Sequence, residues 1–233
     1  MSNKLALVTG VGPGTGLAVA QRLAKGGYEV AMIARNEERL KQFEAKIPKS
    51  RAFAADVTDT AKFNAVLDRV CEEFGRPELV VHNAVGGVFG NFMQIDPAVM
   101  EVNFQTNVMG FLHLARRMAP AMIEAGRGTI IASGNTSALR GKSNFAGFAP
   151  TKAAQRILAE SMARELGPKG IHVAYMVIDA AIDLDWTRKI RPDAPDDFFI
   201  KPAEIADEIW HLAHQPKGAW SFNVELRPFK EVW

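Results

Sequence analysis

Thr9-Gly10-Val11-Gly12-Pro13-Gly14-Thr15-Gly16 packs four glycines into one short turn. It follows the short apolar run 5–9 directly and opens a helical pattern. Glycine lets a strand turn sharply into a helix and lets the backbone come close to a ligand. The unpaired N–H groups and positive dipole end of that helix favour an anion such as a pyrophosphate. Glycines in a strand-to-helix turn can also be purely conformational. Here four of them fall between Gly10 and Gly16, with a strand before and a helix after, so the turn reads as dinucleotide-binding.

Outward from this turn, short apolar runs alternate with helical stretches. The strand-like runs lie at 5–9, 28–34, 51–55, 79–82, 128–133, 172–178 and 222–226. They are rich in Val, Ile and Ala and lack in/out alternation, as parallel strands buried on both faces do. Phe63, Val66, Leu67, Val70, Cys71 and Phe74 repeat at helical spacing, as do Ala154, Ile157, Leu158, Met162 and Leu166. Repeated strand–helix–strand order predicts an α/β fold: a single Rossmann-type doubly wound parallel sheet of about seven strands, helices on both faces. No linker or repeat divides the chain, so 1–233 is expected to be one domain. The segment 183–202 breaks the rhythm with Pro192, Pro195 and Pro202 and is placed to cover a ligand as a lid.

Composition narrows the function. Lys and Arg total 28 against 26 Asp and Glu, a net charge of +2 with no basic block. That balance argues against nucleic acid or an anionic membrane as the main partner. The lone Cys71 excludes an internal disulfide framework and a Cys-rich metal site. The first apolar run meets the glycine turn too soon for a signal peptide or membrane span, so a soluble, cytoplasmic protein is expected.

Read as Thr-Gly-x-x-x-Gly-x-Gly, the turn uses Gly10, Gly14 and Gly16, with Gly12 and Thr15 inside it. In this form it resembles the fingerprint of the short-chain dehydrogenase/reductase family. The resemblance runs through Asp56-Val57, His82-Asn83-Ala84-Val85, Asn107 in a long helix and Lys152 in the helix after the fifth strand. It implies a nicotinamide dinucleotide along these positions and puts Ile182 beside it. Asp56 corresponds to an aspartate that receives the adenine amino group, leaving Thr58 or Asp59 to cap the next helix. Val85 stands where glycine is usual and implies a slightly altered wall.

Cofactor preference follows from the end of the second strand. An acid there would accept from the adenosine ribose hydroxyls and select NAD. The chain has Arg35-Asn36 instead. A guanidinium cannot accept a hydrogen bond but pairs well with a 2′-phosphate, so NADP(H) is preferred over NAD(H). The competing reading is a solvated arginine beside a helix that Asn36 caps.

In the family mechanism a tyrosine protonates the substrate carbonyl and a lysine four residues later lowers that tyrosine's pKa. A serine orients the carbonyl, and an asparagine anchors a water on the proton relay. Lys152 and Asn107 fit the lysine and asparagine. Phe148 occupies the tyrosine position and Asn135 the serine position, with Ser133, Thr136 and Ser137 as local stand-ins. Tyr28 and Tyr175 fall in strands expected to lie far from that helix face. The usual Pro-Gly over the nicotinamide reads Asp179-Ala180, and the chain closes on Asn223-Val-Glu-Leu-Arg-Pro228 rather than Gly-Gly. The pattern resembles a divergent subgroup with phenylalanine for tyrosine and the lysine kept. A missing general acid is worth about 10²–10⁴ in rate.

Three readings stay open at this level. Hydride transfer can proceed with the proton supplied by Lys152, a water on Asn107, Asp179 or Asp183, or with none needed, as for an iminium or a conjugated acceptor. The chain can instead be a catalytically silent NADP(H)-binding sensor or structural protein. It can also be a redox-neutral enzyme on the same fold. No G-x-S-x-G elbow occurs, and His211 and His214 lack the acidic company of a zinc site, so no metal is expected.

The resemblance also implies a homodimer or homotetramer, and the helix at 150–166 has small and apolar residues on several faces. The tail 229–233 is either a subunit contact or packs on its own domain. The partner is a small-molecule substrate. Phe89, Phe92, Phe145, Phe148 and Trp186 suit an apolar pocket, and Arg188, Lys189 and Arg191 an anion, though core or solvated roles fit them equally.

Overall fold

Every residue of the first strand, β1 (Leu5–Thr9), is buried, as its unbroken apolar pattern requires. In the computed structural model, which describes residues 4–230, six more strands flank it. They are β2 (Glu29–Ala34), β3 (Ser50–Ala54), β4 (Leu79–His82), β5 (Gly128–Asn135), β6 (Ile171–Ile178) and β7 (Asn223–Leu226). Residues 231–233, part of the tail read as a subunit contact, lie outside the described residues. All pairings are parallel, in the order β3-β2-β1-β4-β5-β6-β7. The expected seven-stranded, doubly wound sheet is therefore present, its strands shifted by at most two residues from the apolar runs.

Helices cover both faces. On one side α3 (Thr60–Phe74) and α5 (Gly110–Ala125) bury Phe63, Leu67, Phe111 and Met118 against Leu5, Leu7 and Phe53. On the other, α1 (Thr15–Lys25) and α8 (Pro202–Ala213) bury Val19, Leu23, Ile205 and Ile209 against Val8 and Met32. Burying such side chains is worth about 1.5–3 kcal/mol each before entropy is counted. From β1 the chain winds outward to β3, then returns to place β4 on the other side of β1, pairing Thr9 with His82. That reversal opens a crevice at the carboxyl ends of β1 and β4, where ligands bind in such sheets.

Two segments depart from the sequence expectation. The long helix around Asn107 is interrupted: α4 (Pro97–Phe104) passes through a π-turn at Gln105–Met109 before α5. The segment 183–202 is more ordered than its prolines suggest. It holds α7 (Asp185–Ile190) and a 3₁₀ turn at Asp196–Phe198, and its ends are joined by a parallel bridge between Ile182 and Ile200. Among the described residues no helix is long and apolar enough to cross a membrane.

Candidate active site

The glycine turn is seated by the loop after β4. Gly10 has φ +71°, and a Cβ on it would stand 2.4 Å from the Ala84 nitrogen, so only glycine fits. Asn83 Nδ2 donates to the Gly10 carbonyl at 3.0 Å, while its Oδ1 accepts from Ser133 Oγ at 3.0 Å. Asn83, Ala84 and Ser133 thus hold the turn in shape. Ser133, one of the expected stand-ins for the serine, is committed to this structural bond.

The turn offers the donors an anion needs. The Gly12 N–H is spent on the Gly10 carbonyl at 2.9 Å, but α1 starts after Gly14 without a side-chain cap and leaves its first N–H groups for an anion. Thr15 Oγ1 is buried there and has no hydrogen-bond partner among the described residues. A buried orphan hydroxyl beside uncapped helix N–H groups fits a pyrophosphate. Gly14 faces Leu184 of the 183–202 segment, whose Cδ2 would lie 2.7 Å from an added Cβ. Gly16 belongs to the buried first turn of α1.

Further along the crevice stand the groups read as the adenosine end. Arg35 is largely exposed, its Nη1 3.9 Å from Asp56 Oδ2. Asp56 Oδ1 accepts from both the backbone and hydroxyl of Thr58, at 2.9 and 2.8 Å. Asp59 caps α3 and Asn36 caps α2 (Glu37–Glu44). Asn36 is therefore a capping residue whatever else it touches. Val57 is buried against Gly110 of α5. Val85 is 60% exposed at the rim, and Ile182 sits on the bridge to Ile200.

The lysine is the centre of the buried polar cluster. Lys152, on α6 (Ala149–Leu166), is 1% exposed and donates from Nζ to the Ser133 carbonyl at 3.0 Å and to Gln155 Oε1 at 2.5 Å. Burial pulls its pKa down to about 7. Gln155 Nε2 in turn donates to the Asn107 carbonyl at 2.6 Å. Asn107 lies within the π-turn at Gln105–Met109, a feature often found at functional sites. The Asn107 side chain clamps Gly86 through both its oxygen (3.0 Å) and nitrogen (2.8 Å) and donates to Thr151 Oγ1 at 2.9 Å. His82 is fully buried close by, its Nδ1 3.0 Å from Thr9 Oγ1, and burial keeps it neutral by lowering its pKa to about 3.

Phe148 caps this cluster with a ring rather than a hydroxyl. It is buried and packs edge-on against Phe89 at 5.6 Å, which in turn meets Phe145 at 4.9 Å. Asn135 turns its Oδ1 to Ser137 N and caps a 3₁₀ turn. The loops bearing Phe89 and Phe145 are joined at the Gly90–Phe145 bridge.

Three expectations need correction. Tyr175 is not far from the helix: its hydroxyl donates to the Lys152 carbonyl at 3.3 Å and to Gln155 Oε1 at 3.4 Å. It approaches from the buried side, because β6 runs directly beneath α6. Asp179 does not stand free in the cleft: Arg227 pairs with it at 2.5 Å. Asp183 is bound by Arg188 and Lys201, both at 2.6 Å, and these bonds hold its pKa down to about 2. Gln155, Thr151 and Tyr175 were missed as site residues; only the i+3 spacing of Gln155 from Lys152 on one helix face signalled any of them. No group of three or more His, Cys, Asp and Glu among the described residues converges to hold a metal ion.

A parallel sheet with a glycine turn at its switch point and a buried lysine at the rim defines an α/β protein of the dinucleotide-binding type. The chain belongs to the short-chain dehydrogenase family, whose model matches residues 4–194. It is similar to an oxidoreductase of Sarocladium schorii, 32% identical over 74% of this chain and 70% of that protein. Among solved structures it is similar to a metagenomic short-chain oxidoreductase in complex with NADP, 28% identical over 99% of both chains with TM-score 0.86. A short-chain dehydrogenase from Rhodopseudomonas palustris is 31% identical over 97% of this chain and 99% of that one, TM-score 0.84. The protein is an oxidoreductase of the short-chain type.

Proposed function

We propose that this protein is an NADP(H)-dependent oxidoreductase that transfers hydride to or from a small organic substrate without the tyrosine acid. The observation that carries the reading is the pairing of a kept Lys152 with a buried Phe148 four residues before it, next to an anion-ready glycine turn. It supports reading the chain as one of the subgroup with phenylalanine for tyrosine. When bound, the reduced dinucleotide supplies the hydride. Gly12, Gly14, Thr15 and the N-terminus of α1 would hold the pyrophosphate, Arg35 the 2′-phosphate and Lys152 the nicotinamide ribose. The NADP complex of the metagenomic relative supports the same choice of dinucleotide.

Asp179 and Asp183, the two acids that could stand in for the phenol, are both tied to cations. An iminium carbon suits this site. As the new C–H bond forms, the C=N π pair returns to nitrogen and the positive charge is cancelled, with no proton moved. A ketone leaves an alkoxide that must be protonated, a step whose loss costs about 10²–10⁴ in rate. A conjugated acceptor can take its proton later from solvent. The same ion pairs favour a second reading, a silent NADP(H)-binding protein, which turnover would exclude.

The rest of the proposal is a cytoplasmic, single-domain protein with 183–202 as substrate lid, assembled as a homodimer or homotetramer. Exposed Met100, Val102 and Phe104 near Asn107 and exposed Ile157 on α6 support pairing of these helices across a two-fold axis. Titration with NADPH and NADH, followed by nicotinamide fluorescence, tests the reading. NADPH should bind more tightly; binding of neither would overturn it.

A further inference from the structure

Gln155 is fully buried, and each end of its carboxamide is used. Nε2 donates to the Asn107 carbonyl at 2.6 Å, which fixes the orientation of the amide. Oε1 therefore faces inward, accepting from Lys152 Nζ at 2.5 Å and from the Tyr175 hydroxyl at 3.4 Å. A carboxamide has no proton that titrates in water's range, so it holds its neighbours without passing protons between them.

The other groups facing Lys152 offer no interior proton either. Ser133 presents a carbonyl. His82 is kept neutral by burial, and burial pushes the Tyr175 phenol above its usual value, so neither exchanges protons near neutrality. Asn107 spends its side chain on Gly86 and Thr151, and its carbonyl on Gln155. What remains to the lysine is the cleft.

We infer that Gln155 is a positioning residue whose carboxamide fixes Lys152 and closes the interior route to it, so that the site acts on acceptors needing no proton from the protein. The inference rests on the hydride-transfer reading and narrows its substrate class to iminium-like or conjugated carbon. It also explains why one aromatic substitution is not the whole change: the acid at position 148 and the path behind the lysine are both closed. Restoring the phenol alone should not restore ketone reduction.

Two measurements test it, one of them without cofactor. Lysine ¹³Cε resonances followed from about pH 5 to 10 report the titration of Lys152, assigned by its loss in Lys152→Met. Gln155→Glu keeps the shape of the side chain and sets a carboxylate at Nζ, so this titration should rise by at least about one unit. An unchanged titration would overturn the pairing. NADPH-dependent ketone reduction is then compared in Phe148→Tyr and in Phe148→Tyr/Gln155→Ala, which leaves room for water between Lys152 and the Asn107 carbonyl, with Gln155→Ser in place of alanine should that variant not fold. The double variant should be at least about tenfold faster than the single one. An equal or slower rate would overturn the closure. NADPH titration of the same variants separates the two claims: absent binding removes the cofactor reading, while the lysine titration still decides the role of Gln155.

Discussion

The Tyr175 hydroxyl donates to the main-chain carbonyl of Lys152 at 3.3 Å, from the buried side of α6. The contact is possible because Gly134 lies beneath the ring, where a Cβ would stand 2.3 Å from the phenol oxygen. The tyrosine of this neighbourhood therefore supports the lysine's helix and does not reach the cleft. Tyr175→Phe should cost about 1 kcal/mol in stability and leave any NADPH-dependent turnover within about twofold of the native rate. Denaturant unfolding and steady-state rates check both. A loss of turnover beyond tenfold would make this phenol the missing acid.

Gly10→Ala forces a side chain into the left-handed region and against the Ala84 backbone, neither of which can give way cheaply. The strain should cost about 2–4 kcal/mol in urea unfolding, and NADPH binding should fall with it. An unperturbed variant would mean that the β1–α1 turn and the Asn83–Ala84 loop are not packed as described.

Arg35→Ser removes the cation assigned to the 2′-phosphate and leaves Asp56 in place. A charged hydrogen bond is worth about 1.5–3 kcal/mol, so NADPH should bind roughly ten- to a hundredfold more weakly. NADH affinity should stay within about twofold. Parallel loss of both would assign Arg35 to the shared adenosine half.

Lys152 gives stability a pH dependence whose sign is fixed. Its folded pKa lies near 7, below the ordinary 10.5, so between these values the unfolded chain binds more protons than the folded one. Native stability therefore rises with pH across that window and is least where the buried lysine must carry charge. From about pH 7 to 9 the native protein should gain about 2 kcal/mol relative to Lys152→Met, measured by urea unfolding at each pH. A constant difference would mean that the lysine is solvated.

What the sequence revealed was local. The glycine turn, the apolar strands and the lysine helix each declare themselves within a few residues, and the family pattern linked them. The caps Asn36 and Asp59 were legible for the same reason. Long-range partners were not. Asp179 and Asp183 looked like spare acids until Arg227, Arg188 and Lys201 were seen beside them. Tyr175 looked remote because its position in a strand says nothing of the helix laid over it. Gln155 passed as a helix residue because its partners, the Asn107 carbonyl and the Tyr175 hydroxyl, lie on other elements far away in sequence.

Hydride transfer at this site is proposed to need no protein acid. Its most direct test is NADPH oxidation by the native protein with matched substrates, a cyclic iminium or enone against the corresponding ketone, with the products identified. The former should turn over, with ketone rates at least about 10²-fold lower. Ketone reduction at a comparable rate, or no turnover of any acceptor by a protein that binds NADPH, would contradict it.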